Sequence, residues 1–458
     1  MSTFSGINLA SRALSAANKA VDVTGQNIAN ANTDGYSRQR VEQTELDTVS
    51  DGLFAGRTRV GQGVDVTSIS RATDAFVDAR QRGDHSTAAY ADQTAGVYSD
   101  VDHLLNEPAD DGLTEQLNSF WGAWKDLAND SSDAAAKAEV LHTGQTVAAT
   151  VNTLDARLAT QWSNLRDSAS TLADQVNTTT AKIAQLNLGI AKASGTGQNA
   201  NELLDQRDGF VLKLADLTGA TTTARADGTV DVSIGGSTVV HGSDSVRIQV
   251  SSTPTALRGV TSSSQVTLSL VGSGDPVRLN TGKLGGVLDG LNDVLPGVAQ
   301  QFDATARSVA SSVNGIYNPG GTAGGNFFGT NDGTSAVSAQ NLAVTVASST
   351  AIAGSSSGTK DGRTAAALGA LSESATGPGS VWRKQVTDIA QKVATANTTS
   401  SVAATTALNS DASRESVSGV NIDEEMVNLV TYQHAYASAA KVFTAMDDML
   451  GTLINMVR

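Results

Sequence analysis

Five histidines, His85, His103, His142, His241 and His434, are the first residues to question in a chain that contains no cysteine. None stands in the His-Glu-x-x-His spacing that puts two imidazoles on one helix face around a metal ion. The acidic pairs Asp110-Asp111, Glu424-Glu425 and Asp447-Asp448 offer carboxylates for general acid–base work. Adjacent residues on a helix point about 100° apart, so the members of a pair do not converge on one substrate atom. Glu424 and Glu425 fall where a C-terminal helix begins, and negative charge is favoured there by the helix dipole. Asp227-Gly228-Thr229-Val230-Asp231 spells a hairpin turn ahead of a calcium loop. The run from Gly320 to Gly325 lacks the Lys-Ser/Thr of a phosphate-binding loop and reads as a flexible connection. No catalytic centre, metal site or cofactor is expected, and the chain reads as a structural protein rather than an enzyme.

The elements that carry a clear pattern lie at the two ends. Ile7, Leu14, Val21 and Ile28 repeat every seven residues, interleaved with Ala10, Ala17 and Ala31. Near the other end Ile422, Leu429, Tyr436, Phe443, Leu450 and Val457 do the same, interleaved with Tyr432, Ala439, Met446 and Leu453. A seven-residue apolar repeat is the seam of a coiled coil or supercoiled bundle. An isolated helix is only marginally stable in water, so the two ends are expected to pair with each other while the middle of the chain hangs from them.

Composition narrows the partners. The chain has 458 residues, about three domains by length, and a net charge of -15. That balance leaves no basic patch to neutralise phosphates, so nucleic acid is excluded as a partner. No run of about eighteen apolar residues suggests membrane insertion. The opening Met-Ser-Thr-Phe-Ser-Gly lacks the basic and apolar regions of a secretory signal, so any export is expected without cleavage of one.

Along the chain, residues 5–31 read as one amphipathic helix that stops at Asn30-Ala31-Asn32-Thr33-Asp34-Gly35-Tyr36, a cluster of turn residues. Residues 37–74 read as an extended arm with a hairpin. Helices fill 75–193, with breaks at Asn106-Glu107-Pro108 and near Asn129-Asp130. Leu113, Leu117, Phe120, Trp121, Trp124 and Leu127 form a core stripe, and Leu158 through Ile190 alternate spacings of three and four. Another helix begins near Asn201. From Gly219 the period changes to two, in Val230, Val232, Ile234, then Val246, Ile248, Val250, then Val266, Leu268, Leu270. Helix returns at 283–315, at 381–409 and from Ile422. The expected fold is therefore mainly α with a β domain. Residues 1–36 plus 415–458 form a coiled-coil stem, 75–218 plus 282–414 an elongated helical bundle with an irregular segment at 320–380, and 219–281 an inserted antiparallel β domain.

The segment Gln26-Asn27-Ile28-Ala29-Asn30-Ala31-Asn32-Thr33-Asp34-Gly35-Tyr36-Ser37-Arg38-Gln39 resembles the N-terminal signature of the flagellar rod, hook and hook-associated protein family. Val420-Asn421-Ile422-Asp423-Glu424-Glu425-Met426-Val427-Asn428-Leu429 with Tyr432-Gln433-His434-Ala435-Tyr436 resembles its C-terminal signature. Rod and hook proteins usually continue the turn with Phe-Lys; Tyr36-Ser37-Arg38-Gln39 is similar to the junction members instead. So are Leu203-Leu204-Asp205-Gln206-Arg207-Asp208 and Gly285-Gly286-Val287-Leu288-Asp289 with Leu295-Pro296. The resemblance implies a structural part of the bacterial flagellum, outside the cell, exported without a cleaved signal. It implies a ring of identical copies between the flexible hook and the filament, buffering their mechanical mismatch. Its partners would be hook protein on one side, hook-associated protein 3 on the other, and an export chaperone. A hook or distal-rod protein is the alternative. Subunit contacts are expected at Ile7, Leu14, Val21, Asn27, Ile28, Asn30, Asn32, Thr33, Gly35 and Tyr36, and at Ile422, Leu429, Tyr432, Tyr436, Phe443, Leu450 and Leu453.

Overall fold

The computed structural model describes residues 3–46, 63–321, 325–334, 336–355 and 361–456. Helix α1 (Thr3–Ala29) stops in the expected turn. There Gly35 takes a φ of 79°, which a side chain rarely tolerates. The arm follows as two antiparallel strands, β1 (Gln39–Glu45) and β2 (Val64–Arg71), with Gln39 opposite Arg71 and Glu45 opposite Val64. Gly56, Val60 and Gly61 of the arm lie outside the described residues, as does Val457 of the C-terminal repeat.

Three helices come next: α2 (Ala75–Leu105), α3 (Leu113–Asn129) and α4 (Ala134–Gly195). Asp74 caps α2 by accepting from the amides of Phe76 and Val77, and Asp133 caps α4 through Ala135. The 62 residues of α4 form a spine about 90 Å long at helical rise. Helix α5 (Asn201–Thr218) ends at Gly219, whose φ of 71° closes it.

The β domain is two small sheets. Strands β3 (Thr221–Ala224), β4 (Val230–Ile234), β5 (Ser237–His241) and β6 (Asp244–Ser245) pair in sequence order. Strands β7 (Ile248–Val250), β8 (Leu268–Leu270) and β9 (Pro276–Val277) form the other. Val230, Val232 and Ile234 all point inward, as the alternation predicts. Val246 does not: it lies outside the strands and is 40 % exposed. The sheets are fastened to the spine by side-chain amides. Asn187 donates to the carbonyls of Val230 and Gly242, and Asn177 both donates to and accepts from the backbone of Ile248.

Helix α6 (Gly282–Asp289) continues through one wide π turn, Gly290–Val294, into α7 (Leu295–Tyr317). Pro296 accounts for the wide turn. The amide of Leu295 reaches back to the Gly290 carbonyl, and proline has no N–H to offer the next carbonyl, that of Leu291. The buried indole of Trp162 supplies the missing donor, 3.0 Å from that oxygen.

The irregular segment contains strands β10 (Phe328–Thr330) and β11 (Leu342–Val344), which pair with each other, and a short helix α8 (Arg363–Gly369). It is plugged into the bundle by Phe327 and Phe328, both fully buried. Their backbone is held by Asn314, which accepts from both amides and donates to the Phe328 carbonyl. Phe120, Trp124 and Tyr317 meet the Phe327 ring at 5.6 Å, so the core stripe of α3 is completed from this loop. Gly144 leaves room for that ring; a Cβ there would lie 2.8 Å from it.

Helix α9 (Pro378–Ser418) extends beyond the expected 381–409, because nothing before Gly419 stops it. Its first half packs on α7, where Thr305 donates to Gln385, and its second half on α2. Helix α10 (Ile422–Met456) then runs back along α1. The architecture is mainly α with a β domain, as expected. Replacing Phe327 with alanine is expected to cost about 3–5 kcal/mol, the range for a buried phenylalanine. A urea titration of the variant should show the midpoint falling while the helix signal before the transition stays unchanged.

Candidate functional site

Of the residues that the sequence singled out at both ends, Asn27 and Tyr36 meet at the root of the terminal helices, while the others on α1 and α10 are spread along the antiparallel pair. The bond between Asn27 and Glu425, and the approach of Gly6 to Met446, show that α1 and α10 run antiparallel in one register. The buried seam of α1 is its small residues. Ala10, Ala16, Ala17, Ala20, Val23 and Thr24 are buried, whereas Ile7, Leu14, Val21 and Ile28 flank the seam half-buried. Alanines let the two backbones approach closely, and the larger side chains then spread to the rims.

Helix α10 is far less covered. Glu425 is its one buried residue among those described. Leu429, Tyr432 and Leu450 are half-buried, while Ile422, Tyr436, Phe443 and Leu453 are 39–47 % exposed. Val427, Val442 and Ile454 are exposed as well. One helix partner covers only part of this apolar surface, and the remainder is open to water.

At the root, Asn27 is buried and uses its whole amide. It donates to the Gln39 carbonyl at 2.9 Å and to Glu425 at 3.1 Å, and accepts from the Gln39 amide and the Tyr36 hydroxyl, both at 2.9 Å. Arg38 reaches Glu425 at 2.7 Å and Glu424 at 3.1 Å, and its own amide donates to the Ser418 carbonyl. Glu425 therefore does more than oppose a helix dipole: it is 2 % exposed and joins the two termini. Asn30 caps the end of α1 through the Gln26 carbonyl and accepts from Thr33. Asn32, Thr33 and Gly35 lie exposed on the turn.

A second ring of charge ties this root to the bundle. Asp205 of α5 accepts from the Ser37 amide and from Arg71 of the arm, and Arg71 also binds Asp208. Asn201 donates to Gln39 and to the Ile69 carbonyl. Arg414 of α9 meets Asp78 of α2 at 3.3 Å. Burial pushes the Arg207 and Arg82 guanidiniums down. It works the same way on Arg71, but Asp208 and Asp205 outweigh it and hold that group up. The Tyr36 phenol is pushed up to about 12, by burial first and then by Asp205 and Glu425.

Comparison with known proteins decides what this arrangement belongs to. Residues 98–331 match the family described as the flagellar hook-associated protein FlgK helical domain. Residues 7–36 match the flagella basal body rod protein family, and 413–456 the flagellar basal body rod FlgEFG protein C-terminal family. Flagellar hook-associated protein 1 of Bacillus subtilis is 30 % identical over 99 % of this chain and 98 % of its own length. The chain belongs to the flagellar hook-associated protein 1 family. The Salmonella typhimurium hook-associated protein 1 is 29 % identical, over 70 % of this chain and 58 % of its own length. The flagellar hook junction protein FlgK of Burkholderia pseudomallei, a solved structure, aligns with a TM-score of 0.48 at 24 % identity, over 55 % of this chain and 47 % of that one. As a hook-associated protein, the chain is a structural component of the flagellum and associates with the other axial proteins.

Asn27, Asn30 and Tyr36 were expected at contacts between subunits; within one copy they bond to the root, whose other members the sequence did not single out as their partners. Arg38, Arg71, Asp78, Asn201, Asp205, Arg414 and Glu425 complete the root, and no spacing rule links residues hundreds of positions apart. The faint signals were Arg38, Asp205 and Glu425, which lie inside segments that carry the family resemblance. Tyr36 gives this root a measurable signature. In the folded chain its phenol ionises near 12 rather than 10. Stability from this group is thus intact below pH 10 and is lost as pH rises towards 12, because the unfolded chain ionises first. Tyr36→Phe should lose less stability than wild type across that window in denaturant titrations; parallel curves would argue against a raised phenol.

Proposed function

We propose that copies of this chain form the junction ring between hook and filament, and that the exposed apolar residues of α10 are where neighbouring copies and adjoining axial proteins pack. The observation that carries this reading is the imbalance within the stem. Apolar side chains on one whole helix stay open to water after α1 has taken its share. A helix that keeps this many apolar side chains exposed marks an interaction surface. Burying Val427, Val442 and Ile454 against further helices would contribute about 1.5–3 kcal/mol per side chain. The residues of the stem then divide the work. Ala10 and Ala17 with their flanks hold α1 to α10 inside one copy, and Ile422, Tyr436, Phe443 and Leu453 serve contacts between copies.

The bundle and β domain would lie outside this tube, carried by the polar root. Hook protein on the proximal side and hook-associated protein 3 on the distal side are the partners this placement requires, with export through the flagellar apparatus assisted by a chaperone. Ending the chain at Asn421, or introducing Val427→Asp with Val442→Asp at full length, should leave the bundle folded. Cells carrying the full-length double variant are expected to secrete the protein in normal amount, yet to shed filament protein into the medium and lack attached filaments by electron microscopy. Normal filaments on cells carrying either variant would overturn the reading.

A further inference from the structure

Sulfur is distributed unevenly along this chain. There is no cysteine, and four of the five methionines, Met426, Met446, Met449 and Met456, lie on α10. The fifth, Met1, lies outside the described residues. Met426 and Met449 are each 47 % exposed, and Met456 is 75 % exposed. Met449 and Met456 are seven residues apart and so share one face of the helix. Met446 is placed differently. It is half-buried, and its thioether lies against Gly6 of α1, where a Cβ would stand 2.9 Å from the sulfur. A thioether is apolar and flexible enough to fit a helix interface, yet its sulfur stays open to oxidants wherever water reaches it. This chain has no thiol to react first.

We propose that Met426, Met449 and Met456 form an oxidation-sensitive site, at which hydrogen peroxide or a similar two-electron oxygen donor bars the unassembled chain from the ring. The proposal rests on the reading of α10 as the packing surface. In the step, a methionine sulfur attacks one peroxide oxygen. An S–O bond forms and the O–O bond breaks. The sulfur loses two electrons, the peroxide is reduced to water, and no proton is gained or lost overall. The product is a sulfoxide, which turns an apolar side chain into a polar one. Its oxygen needs a hydrogen-bond donor once water is excluded. The exposed neighbours have none to give: Val427 and Val430 lie beside Met426, and Leu453 and Ile454 beside Met456. Assembly covers the site, so only copies not yet incorporated are open to the reaction.

Peptide mass spectrometry on the purified full-length protein after brief peroxide treatment reads the chemistry. Sulfoxide should appear at Met456 first, then at Met426 and Met449, and last at Met446. Equal rates at all four would overturn the site as the folded stem defines it. The consequence is read in cells where production of the chain is switched on only in the presence of peroxide, at a dose that leaves secretion unchanged. Attached filaments should fall about tenfold, the scale of one apolar side chain lost from an interface. The triple variant Met426→Leu, Met449→Leu, Met456→Leu, which keeps size and apolarity, should keep its filaments under the same dose. Equal loss in both would overturn the proposal. Met449→Gln with Met456→Gln serves as the second variant, because it carries a polar oxygen near the place of the sulfoxide oxygen and does not react. It should lower attached filaments without any oxidant, and filaments at the wild-type number would overturn the proposal. If Val427→Asp with Val442→Asp abolishes attachment while neither peroxide nor the glutamine variant does, the oxidation site falls and the junction reading stands. If none of the three does, both fall.

Discussion

A carboxylate withdrawn from water has to be answered by donors, or the chain rearranges to expose it. Glu425 is withdrawn almost completely and is answered by Arg38 and Asn27. The pairing fixes more than one side chain. Asn27 can serve Glu425 only with its oxygen committed to Gln39 and Tyr36, so the turn between them must close as it does. Arg38 can serve Glu425 only with its amide on the Ser418 carbonyl, which sets the end of α9 beside the start of the arm. The first strand, the last two helices and the turn are thereby held at one point.

The two bodies that meet at this point are built on different physics. The bundle has one continuous core that runs from Val97 through Trp162 to Ile389, with the β domain clipped to its spine by Asn177 and Asn187 and by the pairing of Arg258 with Asp155. The stem has a seam of alanines and little else, and its largest side chains face outward. The bundle closes its core among its own residues, whereas the stem leaves apolar side chains open to water. Joining the two through hydrogen bonds and ion pairs, instead of a shared apolar core, lets each be built to its own requirement.

Much of this was legible in the residues, for identifiable reasons. Helix breaks at Asn106-Glu107-Pro108 and at Gly219 follow from backbone chemistry that acts locally. The change of period at Gly219 announced the β domain. The seven-residue repeats announced that the ends pair, but not which stripe would be buried: alanine and threonine won over isoleucine and leucine because close approach mattered more than side-chain size. The loop plug of Phe327 and Phe328 was hidden, because its receptor is a stripe on α3 some two hundred residues earlier. So was the root itself. Glu425 and Arg38 are each ordinary in their local setting, and only the fold brings them within 2.7 Å.

The central claim is that one buried node holds both ends of the chain. Hydrogen exchange on the purified full-length protein, wild type against Glu425→Ala, tests it most directly. The account predicts that the Gln39 amide and the first turns of α10 lose protection together, although they are nearly four hundred residues apart, while the middle of α4 is unchanged. Faster exchange in α10 with the Gln39 amide as protected as in wild type would contradict it.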